Sequence, residues 1–245
     1  MAFEITTATL PGPSHATGIC EDAIAVGGHD DCQIVAVSDG VGSVPNAALG
    51  AHVATHVAVR ALERMQWDEA PDADELHRRC VAVLADVRLL FRLFEKFEAD
   101  RGSLACTLIC VVLTPEYLAA MQVGDGIIYV RRDDGAFEEF IEPQDKRYVN
   151  DVVSITHAKR DDVRVRVDRS AIDFVGVMTD GLERLASELN GEDGHNDLLT
   201  ALRKLAVHSE SQERISLLRR MLEITNVRDD QGVALMARRI AGGQP

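Results

Sequence analysis

The sequence predicts an α+β fold in which antiparallel sheet carries helical layers on both sides. Three observations carry that expectation. Five short apolar runs, rich in β-branched residues, each stop or start at an acidic turn residue and read as buried strands. Stretches with apolar residues at three- and four-residue steps lie before residue 98 and again after Gly181, the mark of amphipathic helices. Between about residues 104 and 178 the strands are separated by short turns, which join antiparallel neighbours but cannot connect parallel ones.

Taken in order, E-D-A-I-A-V opens a strand at Glu21-Asp22, and I-V-A-V-S-D-G closes another at Asp39-Gly40. Asn46 is placed to cap a helix over A-A-L-G-A-H-V-A-T-H-V-A-V-R-A-L, and Asp72 or Asp74 a second reaching roughly to Glu98. Val81, Leu84, Val87, Phe91 and Phe94 would form the apolar face of that second helix. Hairpin turns are expected at Thr114 to Glu116 and Asp133 to Gly135. M-Q-V-G-D-G ends a run at Asp125-Gly126, and F-V-G-V-M-T-D-G ends another at Asp180-Gly181. The polar stretch S-E-L-N-G-E-D-G-H-N reads as a loop, followed by helices over 197–207 and 211–224. D-D-Q-G-V-A-L then starts a last strand, about 232–237, at Asp229-Asp230. With no internal repeat or Pro/Ser-rich linker, a single domain over residues 1–245 is expected.

The formal net charge of −14 argues against nucleic acid or an anionic membrane as a partner. No apolar stretch approaches the roughly eighteen residues that span a bilayer. The N-terminus lacks a signal-peptide pattern, and the five cysteines include no C-x-x-C pair, so a reduced, cytoplasmic setting is expected. Cys106 and Cys110 sit within L-A-C-T-L-I-C-V-V-L and read as core. His52 and His56, one helical turn apart without a third ligand partner, read as residues on or beside a packed helix face, and His157 as a loop residue near the site. Trp67 lies between helices.

In an antiparallel sheet the end of one strand lies beside the start of its neighbour. Five acidic sites spread over two hundred residues can therefore gather at one edge. Asp-Gly commonly does no more than close a turn, but three such pairs after apolar runs, with two acidic strand starts, point to a site. Clustered carboxylates repel and raise one another's pKa, so the gathering calls for a hard cation. Mg²⁺ and Mn²⁺ take oxygen ligands in octahedral geometry, and two ions about 4 Å apart can share a carboxylate.

The order of these motifs resembles the metal-dependent (type 2C) serine/threonine protein phosphatases, in a bacterial branch. P-G-P-S-H-A-T-G-I-C-E-D-A resembles that branch's opening, V-S-D-G-V-G-S its D-G-x-G segment, and G-S-L-A-C-T-L its G-S-T-A strand start. Q-V-G-D-G, Y-V-N-D-V-V-S-I-T, M-T-D-G-L and D-D-Q-G-V-A-L resemble the later elements, so nearly the whole chain is covered. The resemblance implies two stacked antiparallel β-sheets flanked by helix pairs, with a binuclear Mn²⁺ or Mg²⁺ centre at one end. By the same resemblance Asp39 bridges the two metals and Gly40 offers its carbonyl to one. Asp180 and Asp229 hold the other, Glu21 and Asp22 act partly through waters, and Asp125 with Asp180 forms a weaker third site. Asp230, where many members have Asn, is expected in a supporting or turn role. His15 is assigned contact with a phosphate or a metal-bound water.

The implied activity is hydrolysis of phosphoserine and phosphothreonine in proteins by a metal-activated water, with phosphoproteins and a cognate Ser/Thr kinase as partners in bacterial signalling. Several substrate-side positions depart from the pattern. Thr17 stands where many members carry a phosphate-gripping Arg, and Val41 where eukaryotic-type members have a His proposed as the general acid. Gly126 and Ile127 replace the usual Ser and Arg, and Gln231-Gly232 a basic residue and Thr or Ser. These departures keep open the alternative of a catalytically weak or inactive regulatory module on the same fold.

Overall fold

The computed structural model describes residues 3–13, 18–29, 31–97, 103–132, 134–142, 152–182, 191–208, 211–225, 227 and 229–238. Ten strands are present among them: β1 (Phe3–Leu10), β2 (Ala23–His29), β3 (Cys32–Ser38), β4 (Leu108–Leu113), β5 (Leu118–Val123), β6 (Ile127–Arg132), β7 (Phe137–Glu139), β8 (Arg164–Asp168), β9 (Ile172–Met178) and β10 (Gln231–Arg238). They form two five-stranded sheets, ordered β1-β10-β9-β6-β7 and β2-β3-β4-β5-β8, and every pairing is antiparallel. Helices α1 (Ala47–Glu63) and α2 (Ala73–Phe94) cover the second sheet, while α3 (Gly191–Ala206) and α4 (Ser211–Thr225) cover the first.

The period-2 alternation of strand side chains builds this layering. Along β3, Val35 and Val37 face the other sheet and join Ile109, Val111, Val130, Val175 and Val177 in the inter-sheet core. Their neighbours Ile34 and Ala36 point the other way, into the cluster under α1 and α2. A strand buried on both faces reads as a continuous apolar run, which is why I-V-A-V and L-I-C-V-V-L were legible. The third cluster seals Phe174, Val233 and Leu235 against Leu199, Leu202, Leu218 and Leu222 of the other helix pair. The α+β sandwich expected from the sequence is the observed architecture.

The local expectations hold unevenly. Asp72 caps α2 by accepting from Glu75 N at 2.7 Å, whereas Asn46 occupies the α1 cap position without a side-chain cap bond. Helix α2 ends at Phe94, and its buried face is Leu76, Cys80, Val83, Leu84, Val87 and Phe91. Val81 and Phe94 lie off that face, exposed by 41% and 36%. The hairpins after β4 and β6 form where expected. Within the stretch read as a polar loop, Gly191 to Asn196 are already helical in α3; residues 187–190 lie outside the described residues. The N-terminal strand β1 was not anticipated, because F-E-I-T-T-A-T-L mixes polar and apolar residues as a sheet-edge strand does. It pairs along its whole length with β10. His52 and His56 are exposed rather than packed. No helix among the described residues is long and apolar enough to cross a membrane, and all five cysteines are free thiols.

Candidate metal centre

Strand register brings the acidic motifs to one end of the sandwich. Ala23 pairs with Ser38, so Glu21-Asp22 enter β2 beside Asp39, which leaves β3. Met178 pairs with both Val233 and Ile127. Asp180 leaving β9 thus sits at the same end as Asp229 entering β10 and Asp125 entering β6. Asp125 lies in the crossover from β5 of one sheet to β6 of the other, between Gly124 and Gly126, both at φ +87°. That left-handed backbone favours glycine on either side of the acid.

Hydrogen bonds between strands fix the segments that carry Asp39, Glu21 and Asp230. Asp39 N donates to Thr107 Oγ1 at 2.9 Å, Thr107 N donates to Asp39 O at 2.8 Å, and Ser38 Oγ donates to Thr107 O at 2.6 Å. Gly40 N donates to Glu21 O at 3.2 Å. A Cβ at Gly40 would meet that carbonyl and the Ala47 backbone at 2.8–2.9 Å, so only glycine permits this approach. Asp230, 4% exposed, accepts from Gly12 N at 2.6 Å and from Glu21 N at 2.5 Å. It therefore ties the chain entering β2 to the start of β10.

Thr179 completes the cross-linking. Its hydroxyl donates to Asp22 Oδ2 at 2.7 Å and accepts from Gly232 N at 2.8 Å. Sequence reading gave no role to Thr179 or Thr107. The signal available was a hydroxyl residue directly before Asp180, and another directly before the apolar run of β4. His15 and Thr17 lie outside the described residues.

Electrostatics mark the same place. Burial, with the charges of Asp230 and Asp180, pushes the Asp22 carboxyl up to about 7 against the lowering effect of its bonds to Thr179 and Asp39. Burial, followed by the charges of Asp22, Asp180 and Asp125, raises Asp39 well above the usual carboxylate range. Burial and the charges of Asp22 and Asp230 also drive the Cys20 thiol to about 12, so it is no thiolate nucleophile. Among the described residues, no three of the His, Cys, Asp or Glu side chains are drawn tightly enough to form a cage for an ion. Coulomb repulsion between carboxylates opposes such closure without a cation.

A family model for protein phosphatase 2C matches residues 12–223. The chain belongs to that family. It is 26% identical over 239 residues to serine/threonine-protein phosphatase 3 of Escherichia coli (strain K12), covering 91% of this chain and 90% of the relative. Its fold matches a crystal structure of a bacterial serine phosphatase with a TM-score of 0.72 at 15% identity, over 99% of this chain and all of the other. It also matches the catalytic domain of the serine/threonine phosphatase PstP in complex with two manganese ions, with a TM-score of 0.68 at 15% identity over 98% and 99% of the two chains.

The donor set of this phosphatase 2C family member fits the ions its family implies. It consists of carboxylates and a backbone carbonyl, the hard oxygen ligands that Mg²⁺ and Mn²⁺ select. Asp22 Oδ1 is buried and without a hydrogen-bond partner, a costly state that a nearby cation would relieve.

Proposed function

We propose that the protein is a metal-dependent phosphatase that hydrolyses phosphoserine and phosphothreonine in proteins. The observation that carries this reading is the convergence of Asp39, Asp180, Asp229, Glu21, Asp22 and Asp125 at one sandwich end, where burial and neighbouring carboxylates raise the pKa of both Asp22 and Asp39. Two Mn²⁺ or Mg²⁺ ions fit the reading: Asp39 would be shared by both, the Gly40 carbonyl would serve one, Asp180 and Asp229 would hold the other, and Glu21 and Asp22 would act partly through waters. Asp125 and Asp180 suit a weaker third ion. When bound, such ions offset phosphoryl charge and acidify a water for attack on phosphorus.

The chain's own contribution is positioning. Thr107 and Ser38 fix the backbone of Asp39, Thr179 orients Asp22, and Asp230 holds the Glu21 segment against β10. Rigid strand ends of this kind keep charged groups within the narrow tolerance catalysis needs. The partners are phosphorylated proteins and, upstream, the Ser/Thr kinase that makes them.

The test is hydrolysis of a phosphothreonine peptide by metal-stripped protein, with Mn²⁺, Mg²⁺ or nothing added back. Turnover should appear only with metal and be lost in Asp39→Asn at unchanged fold. Metal binding by calorimetry without turnover would instead favour the non-catalytic regulatory module.

A further inference from the structure

Hydrolysis of a serine or threonine phosphate expels an alkoxide, too basic to depart readily near neutral pH without a proton from a general acid. The residue following Asp39-Gly40 is Val41, which has none to give. Val41 lines a cavity of about 520 Å³ whose other walls include Val44, Ala105, Ser154, Thr156 and His157. This cavity adjoins the candidate metal centre through backbone bonds. Val41 N donates to Ala105 O at 3.0 Å, and Gly40 is bridged to Cys106.

We infer that His157 is the general acid that protonates the departing serine or threonine oxygen, an inference that rests on the phosphatase reading. The segment carrying it is anchored to the stretch that leads into β4 and pairs with Gly40: Ile155 N donates to Cys106 O at 2.8 Å. Arg88 Nε donates to Ile155 O at 2.7 Å, and His157 N to Ser154 O at 3.0 Å. The ring is held at one nitrogen. Its Nδ1 lies 3.2 Å from Ser154 Oγ and 3.1 Å from Thr156 Oγ1. Nε2 makes no hydrogen bond among the described residues, and the residue is exposed to the cavity. An imidazole tethered at one nitrogen and open at the other is the arrangement a proton donor needs. Among the described residues, the other titratable group lining the cavity is Glu95; Arg88 packs behind the segment.

The step balances. Water forms the new bond to phosphorus, the bond from phosphorus to the side-chain oxygen breaks, and that oxygen takes the proton from Nε2 of the imidazolium. The ring is left neutral and regains from solvent the proton that water released, so the sum is one ester and one water giving alcohol and phosphate. Val41 and Val44 supply apolar surface to the wall of this cavity.

The experiment compares His157→Gln and His157→Ala with the parent protein on two substrates, a phosphothreonine peptide and p-nitrophenyl phosphate, in Mn²⁺. The second releases a phenolate that departs without a proton. Loss of the acid should lower kcat on the peptide about 10²-fold or more and leave kcat on p-nitrophenyl phosphate close to the parent value. Added imidazole should restore peptide turnover in His157→Ala. Glu95→Gln should spare both substrates. Equal losses on both substrates, no loss on the peptide, or a peptide-selective loss in Glu95→Gln would each overturn the assignment. A parent protein that turns over neither substrate would sink the phosphatase reading, a result distinct from these.

Discussion

Thr179→Val tests the cross-linking of the acidic edge most directly. The residue is 2% exposed, and valine keeps its shape while deleting the hydroxyl. Two bonds go at once: the donor to Asp22 Oδ2 at 2.7 Å and the acceptor of Gly232 N at 2.8 Å. A hydrogen bond to an ionised group contributes about 1.5–3 kcal/mol, and a buried N–H left unsatisfied costs about 1–3 kcal/mol. The two losses share one atom and are not additive, so about 3 kcal/mol is the expected total. For a chain of this size each kcal/mol moves Tm by about 2–4 °C, which gives a fall of about 6–12 °C. Thr179→Ser keeps the hydroxyl and loses only a methyl, at a cost of about 1 kcal/mol. Urea unfolding in EDTA reads the difference as a change in midpoint at constant m. The deficit should be larger at pH 8 than at pH 5.5, because the lost donor supports the charged form of Asp22. A Thr179→Val protein within about 0.5 kcal/mol of the parent, or a serine variant as weak as the valine one, would refute the hub.

Two further outcomes follow from the same geometry. Asp22 has its carboxyl raised in the folded state to about 7 from 3.8. Its contribution to stability is therefore fully present below pH 4 and lost as pH rises towards 7. In EDTA, Asp22→Asn should flatten the fall in Tm between pH 5 and pH 8, and Mn²⁺ should raise the parent's Tm most at the upper end; an unchanged slope in the variant contradicts the assignment. Gly181→Ala would place a Cβ 2.1 Å from the Asp230 carbonyl oxygen. Because that atom is backbone, the clash should cost at least about 1–3 kcal/mol and misplace Asp180 and Asp229 together, which denaturation and Mn²⁺ calorimetry would register; parent-like values in both would contradict the close approach.

What was legible in the sequence follows from burial. Strands β3, β4 and β9 are covered on both faces, so they read as unbroken apolar runs, and the acidic residues that follow β3 and β9 stand out. β1, with Phe3 and Thr6 buried beside half-exposed Glu4, Ile5 and Thr7, carries too little contrast to be seen. The loop reading before α3 failed because Gly191 and Gly194 look like turn residues, although Gly191–Ala206 is helical and tertiary packing of Leu198, Leu199 and Leu202 outweighs weak local propensity. The acids were legible by type and spacing, but the hydroxyls that orient them were not. Thr107 and Thr179 act through partners 68 and 157 residues away, a relation that exists only once strand register is fixed. Asp230 is the same case, since its acceptor role depends on Gly12 and Glu21 arriving from more than 200 residues off.

The edge also separates what the fold demands from what it leaves open. Asp39, Asp180 and Asp229 stand at strand ends whose neighbours permit little change: Gly40 and Gly181 meet backbone atoms where a Cβ would go, and Ser38, Thr107 and Thr179 are buried in bonds that cross strands. Altering one of these residues costs stability before it alters chemistry. Val41, Thr156 and His157 lie beyond the strand ends, where their side chains line a cavity and are not packed into the core. Residues that touch substrate can therefore vary while the acidic frame stays. On this argument an atypical substrate side, with Val41 beside the centre, is compatible with an intact metal-binding frame. A proton donor can then come from a neighbouring segment that reaches the same cavity, the position His157 occupies.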